Sequence, residues 1–134
     1  MIKEHYKGAF CKITHCIGAA QSLEDALKSV KAKKAKSMTT QLILQIERMA
    51  AGERMSNLTV RKEGVLPSYK GKQPKHFYAL KRIPIRGYYW ESESNDQVSF
   101  ISHYIYKDFD DLHSSDTTRV CNNWHRIENN GDDC

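Results

Sequence analysis

Residues 76–107 gather the side chains best suited to handling a phosphate chain: Lys81, Arg82, Arg86, His103 and Lys107, set among Phe77, Tyr88, Tyr89, Trp90, Tyr104 and Tyr106. A guanidinium stays charged at every relevant pH, and its planar fork matches two phosphate oxygens at once. An imidazole exchanges protons near neutrality without help from its surroundings. Aromatic faces beside such cations offer bases a surface to stack on. Lys72 and Lys75 lie just upstream and extend the cationic stretch. Residues 61–86 hold eight lysines and arginines against Glu63 alone, a local balance of +7 in a chain whose net charge is +5. The rest therefore sums to −2, and the excess cation sits where a polyanion would bind.

Three strands are predicted to position these groups: 77–82, 85–92 and 97–106. The last alternates Val98, Phe100, Ser102, Tyr104 and Tyr106 against Ser99, Ile101, His103 and Ile105, and Glu93 to Asp96 forms the turn before it. Alternation sends His103, Ile105 and Lys107 to one face and Tyr104 and Tyr106 to the other. Lys81 and Arg82 diverge for the same reason, so only one of them faces a common phosphate.

Upstream, residues 9–14 read as a first strand. Ser22 with Asp25 resembles a capping box opening a helix over 23–34, and apolar residues at helical spacing predict a second helix over 38–51, ended by Gly52. Lys28, Lys31, Lys33, Lys34 and Lys36 on or beyond the first helix read as a solvated face. Gly64, Pro67, Gly71 and Pro74 mark residues 61–75 as a partly ordered loop. Asp116 is the expected cap of a helix over 117–129, whose stripe of Val120, Trp124 and Ile127 anchors it to the core, with a frayed acidic tail over 128–134. His113 reads as a surface residue. The fold class is α+β: N-terminal helices packed on a small curved antiparallel sheet, with a C-terminal helix, in one domain over 1–134.

Hydrophobic content of 40% and charged content of 28% are those of an ordinary globular protein. No apolar run has membrane-spanning length and no signal-peptide core opens the chain, so no membrane is expected and the implied location is the cytoplasm. Cys11, Cys16, Cys121 and Cys134 do not form a disulfide framework. Cys11 and Cys16 with His15, or Cys121 with His125, invite comparison with zinc ligands, but the spacing fits the common patterns poorly; reduced packing thiols are the expectation, and no metal site.

The motifs Tyr78-Ala79-Leu80-Lys81, Ile85-Arg86-Gly87-Tyr88-Tyr89 and His103-Tyr104-Ile105-Tyr106-Lys107, in that order after a helical region, resemble the RelE/ParE superfamily of bacterial toxins, in particular its HigB-like and phage-derived members. The resemblance covers residues 36–128 loosely and 76–107 best. It implies the toxin of a type II toxin–antitoxin pair, with a cognate antitoxin as partner, acting as a metal-independent endoribonuclease on mRNA in the ribosome. Such a cut needs no cofactor: the 2′-hydroxyl attacks the adjacent phosphate, and the protein aligns it, moves two protons and stabilises charge on the phosphorane. On this reading Arg86 stabilises that charge, His103 and Lys107 serve proton transfer or phosphate contact, and Lys81, Arg82, Lys75 and Lys72 hold the RNA. The chain departs from the family pattern where relatives carry a second lysine; here Asp108, Asp110 and Asp111 follow Lys107 and would repel phosphate. The alternatives are a ParE-like gyrase inhibitor, for which the cations are dispensable, and a non-catalytic nucleic-acid-binding accessory protein.

Overall fold

The computed structural model of the chain describes residues 2–107 and 112–131. Three strands carry the alternation noted above and lie close to their expected bounds: β4 His76–Arg82, β5 Ile85–Glu91 and β6 Val98–Tyr106. They pair antiparallel, β4 with β5 and β5 with β6, and a bulge between Tyr88 and Tyr89 displaces Ser102 from the ladder. Gly87 is required here, because a Cβ would stand 2.7 Å from the ring of Tyr104.

The sheet is larger than expected and mixed. Strands β1 His5–Lys7 and β2 Lys12–His15 replace the single strand at 9–14, and β3 Val60–Val65 occupies the first part of the region read as loop. Spatial order is β1-β2-β6-β5-β4-β3. β2 runs parallel to β6, pairing Lys12 with Val98 and His15 with Ile101, so the sheet is not purely antiparallel. β3 pairs with β4 through a register shift between Lys62 and Val65, which lets Gly64 sit within a strand rather than end one.

The helical boundaries also differ. Helix α1 spans Ala19–Leu27, opened by Gly18 at φ +85°, and α2 spans Ala32–Ala51. Ser22 is not a cap: buried inside α1, its hydroxyl donates to the Ala19 carbonyl at 2.5 Å and accepts from the Tyr104 amide at 2.9 Å. Lys33, Lys34 and Lys36 join α2 rather than trailing α1, with Lys31 at its N-cap, since straight-chain residues extend a helix readily. Helix α3 covers Ser114–Trp124 and continues as a single π-turn over His125–Asn129.

Helices cover both faces of the sheet. On one face Leu23, Leu42 and Ile46 of α1 and α2 pack with Ile13, Leu80, Ile85, Tyr89, Ile101 and Tyr104. On the other, Val120 and Trp124 of α3 and Ile127 of the π-turn pack with Phe77, Ala79, Tyr88, Trp90 and Phe100. Trp124 thus acts as the expected anchor, 1% exposed. Among the described residues no helix is long and apolar enough to cross a membrane.

Candidate functional site

Strand register decides which cations meet. Lys81 stands opposite Arg86, and Arg86 opposite Ile105, so these share the α3 face with His103, which stands opposite Tyr88. Arg82 stands opposite Ile85 and faces α2 instead, where its Nε donates to the side-chain Oε1 of Gln41. The expected divergence of Lys81 and Arg82 is therefore observed, and Arg86, His103 and Lys107 lie toward one face.

That face is covered. Arg86 is 1% exposed, His103 0% and Lys107 2%. A buried cation survives only where protein groups replace water. Tyr88 marks that environment: burial raises its phenol well above the usual range, the negative charges of Asp116 and Glu63 push in the same direction, and the Arg86 guanidinium opposes them. Its ring lies 5.3 Å from that of His103 and 5.9 Å from that of Phe77.

His103 is engaged at both ring nitrogens. Nε2 lies 3.0 Å from Asp116 Oδ1, and Nδ1 lies 2.8 Å from Ser102 Oγ, which in turn accepts from Asn123 Nδ2 at 2.8 Å. A carboxylate only accepts, so Nε2 carries the proton that bonds to Asp116. With Nδ1 unprotonated, Ser102 donates to it, and Asn123, Ser102, His103 and Asp116 form one chain. The order Ser, His, Asp invites comparison with a nucleophilic triad, but Ser102 is 0% exposed, so no substrate reaches its Oγ in this arrangement. The chain fastens α3 to the bulge of β6. Asp116, expected as a cap, is in the first turn of α3 and serves this chain, while exposed His113 takes the cap position.

Lys72 and Lys75 stand apart from this cluster in the loop before β4. Both are exposed and ion-paired with Glu93, Lys75 Nζ at 2.6 Å and Lys72 Nζ at 3.8 Å. The Glu93 hydrogen bond raises the Lys75 pKa. A phosphate approaching either lysine competes with that carboxylate. Asp108, Asp110 and Asp111 lie outside the described residues.

The second carboxylate anchor of α3 is not legible in the sequence. Glu128, expected in a frayed tail, is buried, and its oxygens accept from Trp90 Nε1 at 3.1 Å, from the hydroxyls of Ser92 and Ser94 at 2.9 Å, and from the amides of Glu93 and Ser94 at 2.8 and 2.7 Å. The cluster of serines at the β5–β6 turn was the available signal, because unpaired amides and hydroxyls there call for an acceptor. Cys16 belongs to the apolar α3-side cluster, Cys11 and Cys121 are half-buried free thiols whose pKa burial raises, and among the described residues no three His, Cys, Asp or Glu side chains are grouped to hold a metal ion. In comparison with known proteins, the chain matches no family model, no curated protein and no solved structure.

Proposed function

We propose that this chain is a RelE-like toxin that cuts mRNA without a metal, with Arg86 as the group that stabilises the phosphorane. The observation that carries this reading is the gathering of Arg86, His103 and Lys107 toward one sheet face, with Tyr88 and Asp116 beside them. The motifs that carry the resemblance fall on consecutive antiparallel strands β4, β5 and β6, which supports the reading without deciding it. Because α3 covers this face, RNA reaches Arg86 only when α3 moves off the sheet. The same motion takes Asp116 and Asn123 away and frees the His103 imidazole for proton transfer.

The burial of all three groups favours a second reading, a basic nucleic-acid-binding protein without turnover, in which the cluster only holds α3. Inducing the chain in growing cells and mapping message ends by primer extension separates the two. Cleavage of translated messages is expected. Arg86→Ala should lower the cleavage rate by about 10²–10³-fold, the effect of removing one preorganised donor, and Arg86→Lys should restore part of it. Circular dichroism must show each variant folded, since a buried arginine also supports structure. Intact messages with trapped gyrase–DNA complexes would move the function to the ParE-like class, and intact messages without growth arrest to the binding protein.

A further inference from the structure

On the opposite side from Arg86, the segment joining α1 to α2, the start of α2 and the β4–β5 turn enclose a cavity of about 440 Å³. Lys31, Lys34 and Arg82 line it together with Ser37, Ile83 and Tyr106, and among the described residues no carboxylate does. Asp25, on the preceding helix, is paired with Lys28 at 3.3 Å. Register sets the spacing across the floor: Tyr106 and Arg82 flank buried Ile85 on adjacent strands, which separates them by about 10 Å, two strand spacings. Arg82 is held by its bond to Gln41, whose amide donates to Ser37 Oγ at 3.3 Å, and its terminal nitrogens make no further hydrogen bond among the described residues. Tyr106 and Ile83 are large apolar residues left 43% and 44% exposed at the rim.

Three cations and an exposed aromatic around one concavity are the components of a single-strand nucleic-acid groove: charge for the phosphates and a flat face for a base. A duplex hides its base faces and has no use for the aromatic. The position of the lysines adds to this. Lys31 caps α2 without a side-chain bond to the turn, and the first turn holds no acid, so cations crowd the positive end of the helix dipole, an arrangement an anion relieves.

We propose that this groove binds single-stranded RNA, with phosphates on Lys31, Lys34 and Arg82 and a base against Tyr106. The choice of RNA rests on the function proposed above; the groove itself is independent of Arg86 and of any cut. The groove lies on the α2 side of the sheet and Arg86 on the α3 side, so contact and chemistry occupy separate surfaces.

The test is fluorescence anisotropy with a labelled twelve-nucleotide oligouridine, titrated at several salt concentrations. The double variant K31A/K34A, both at exposed positions, should lose at least tenfold in affinity and flatten the salt dependence by about 0.7 in log–log slope for each phosphate contact removed. Tyr106→Ala should lose about tenfold with its slope unchanged, the signature of stacking. Lys33→Ala, beside the groove but outside its lining, should lose less than either. Binding to the oligouridine is read with no cleavage step, so a failed cleavage assay and a failed groove give different patterns. Affinity unchanged in both K31A/K34A and Tyr106→Ala would overturn the proposal. So would displacement of the RNA by polyglutamate whose own binding ignores Tyr106→Ala, which would make the groove a site for acidic peptides.

Discussion

His15 shows how far a single residue's role depends on what the fold brings to it. Beside Cys11 and Cys16 it reads as a possible ligand. In the structure it is 2% exposed, its Nε2 lies 2.6 Å from the Tyr104 hydroxyl, and the two rings stack at 5.6 Å. Burial lowers its pKa below the ordinary 6.5, only partly opposed by the nearby Glu4 and Lys3 backbone. The unfolded chain therefore binds a proton more readily than the folded one in this range. Stability is complete above about pH 6.5 and falls as pH drops from there through the lowered folded value. Urea midpoints measured from pH 7.5 to 5.0 should decline, and His15→Gln should show a shallower decline than the unaltered chain. A midpoint equally pH-dependent in both would remove His15 from the account. The partner that defines this residue, Tyr104, is 89 positions away, a pairing that no local spacing announces.

At the scale of elements, legibility followed the length and regularity of the pattern. Strands β4, β5 and β6 were readable because period-two alternation runs through them with turn residues between. Strand β3 was hidden, because Gly64 and Pro67 say loop and only pairing with β4 makes the segment a strand. The start of α2 was hidden as well: a lysine run without a cap carries no boundary signal, and only packing of Met38 and Leu42 on the sheet commits the preceding turns to helix. The docking of α3 was legible in its apolar stripe and invisible in its polar contacts, since Glu128 reaches partners 34 to 38 residues away. Hydrogen bonds to a charged group contribute roughly 1.5–3 kcal/mol each in favourable settings, and stranding a buried donor costs about as much. Glu128→Gln keeps the shape but loses the charge and turns an NH₂ toward donors. It should cost about 2–3 kcal/mol of stability. The chain's two tryptophans, Trp90 and Trp124, both lie in this interface, so their fluorescence should report the loosening directly. An unchanged urea midpoint would mean that water replaces Glu128 without penalty.

For the whole molecule, the sheet is a shared wall: the same central strands bury one face under α1 and α2 and the other under α3. The pairing of Lys12 with Val98 closes the sheet across most of the chain, so neither face is complete until the N-terminal strand has found β6. This bears on the proposed chemistry, because opening the Arg86 site means lifting α3. Full burial of Val120, Trp124 and Ile127 contributes about 5–9 kcal/mol as an upper bound at roughly 1.5–3 kcal/mol per side chain. That is comparable with the ~5–15 kcal/mol that stabilises a typical domain. An opening free energy near the low end leaves about one molecule in several thousand uncovered at any moment. The free protein should therefore protect α3 amides from hydrogen exchange nearly as well as those of β5 and β6, with no separate low-energy opening. Adding the twelve-nucleotide RNA should speed exchange in α3 while leaving β5 and β6 protected, because only the uncovered form offers the strand contacts on the Arg86 face, and a ligand shifts an equilibrium only by its differential affinity for the two states. Slow α3 exchange that RNA leaves untouched would favour the binding protein without turnover. Fast α3 exchange in the free chain would instead mean that the cover is loosely held and that Arg86 is accessible without a ligand's help.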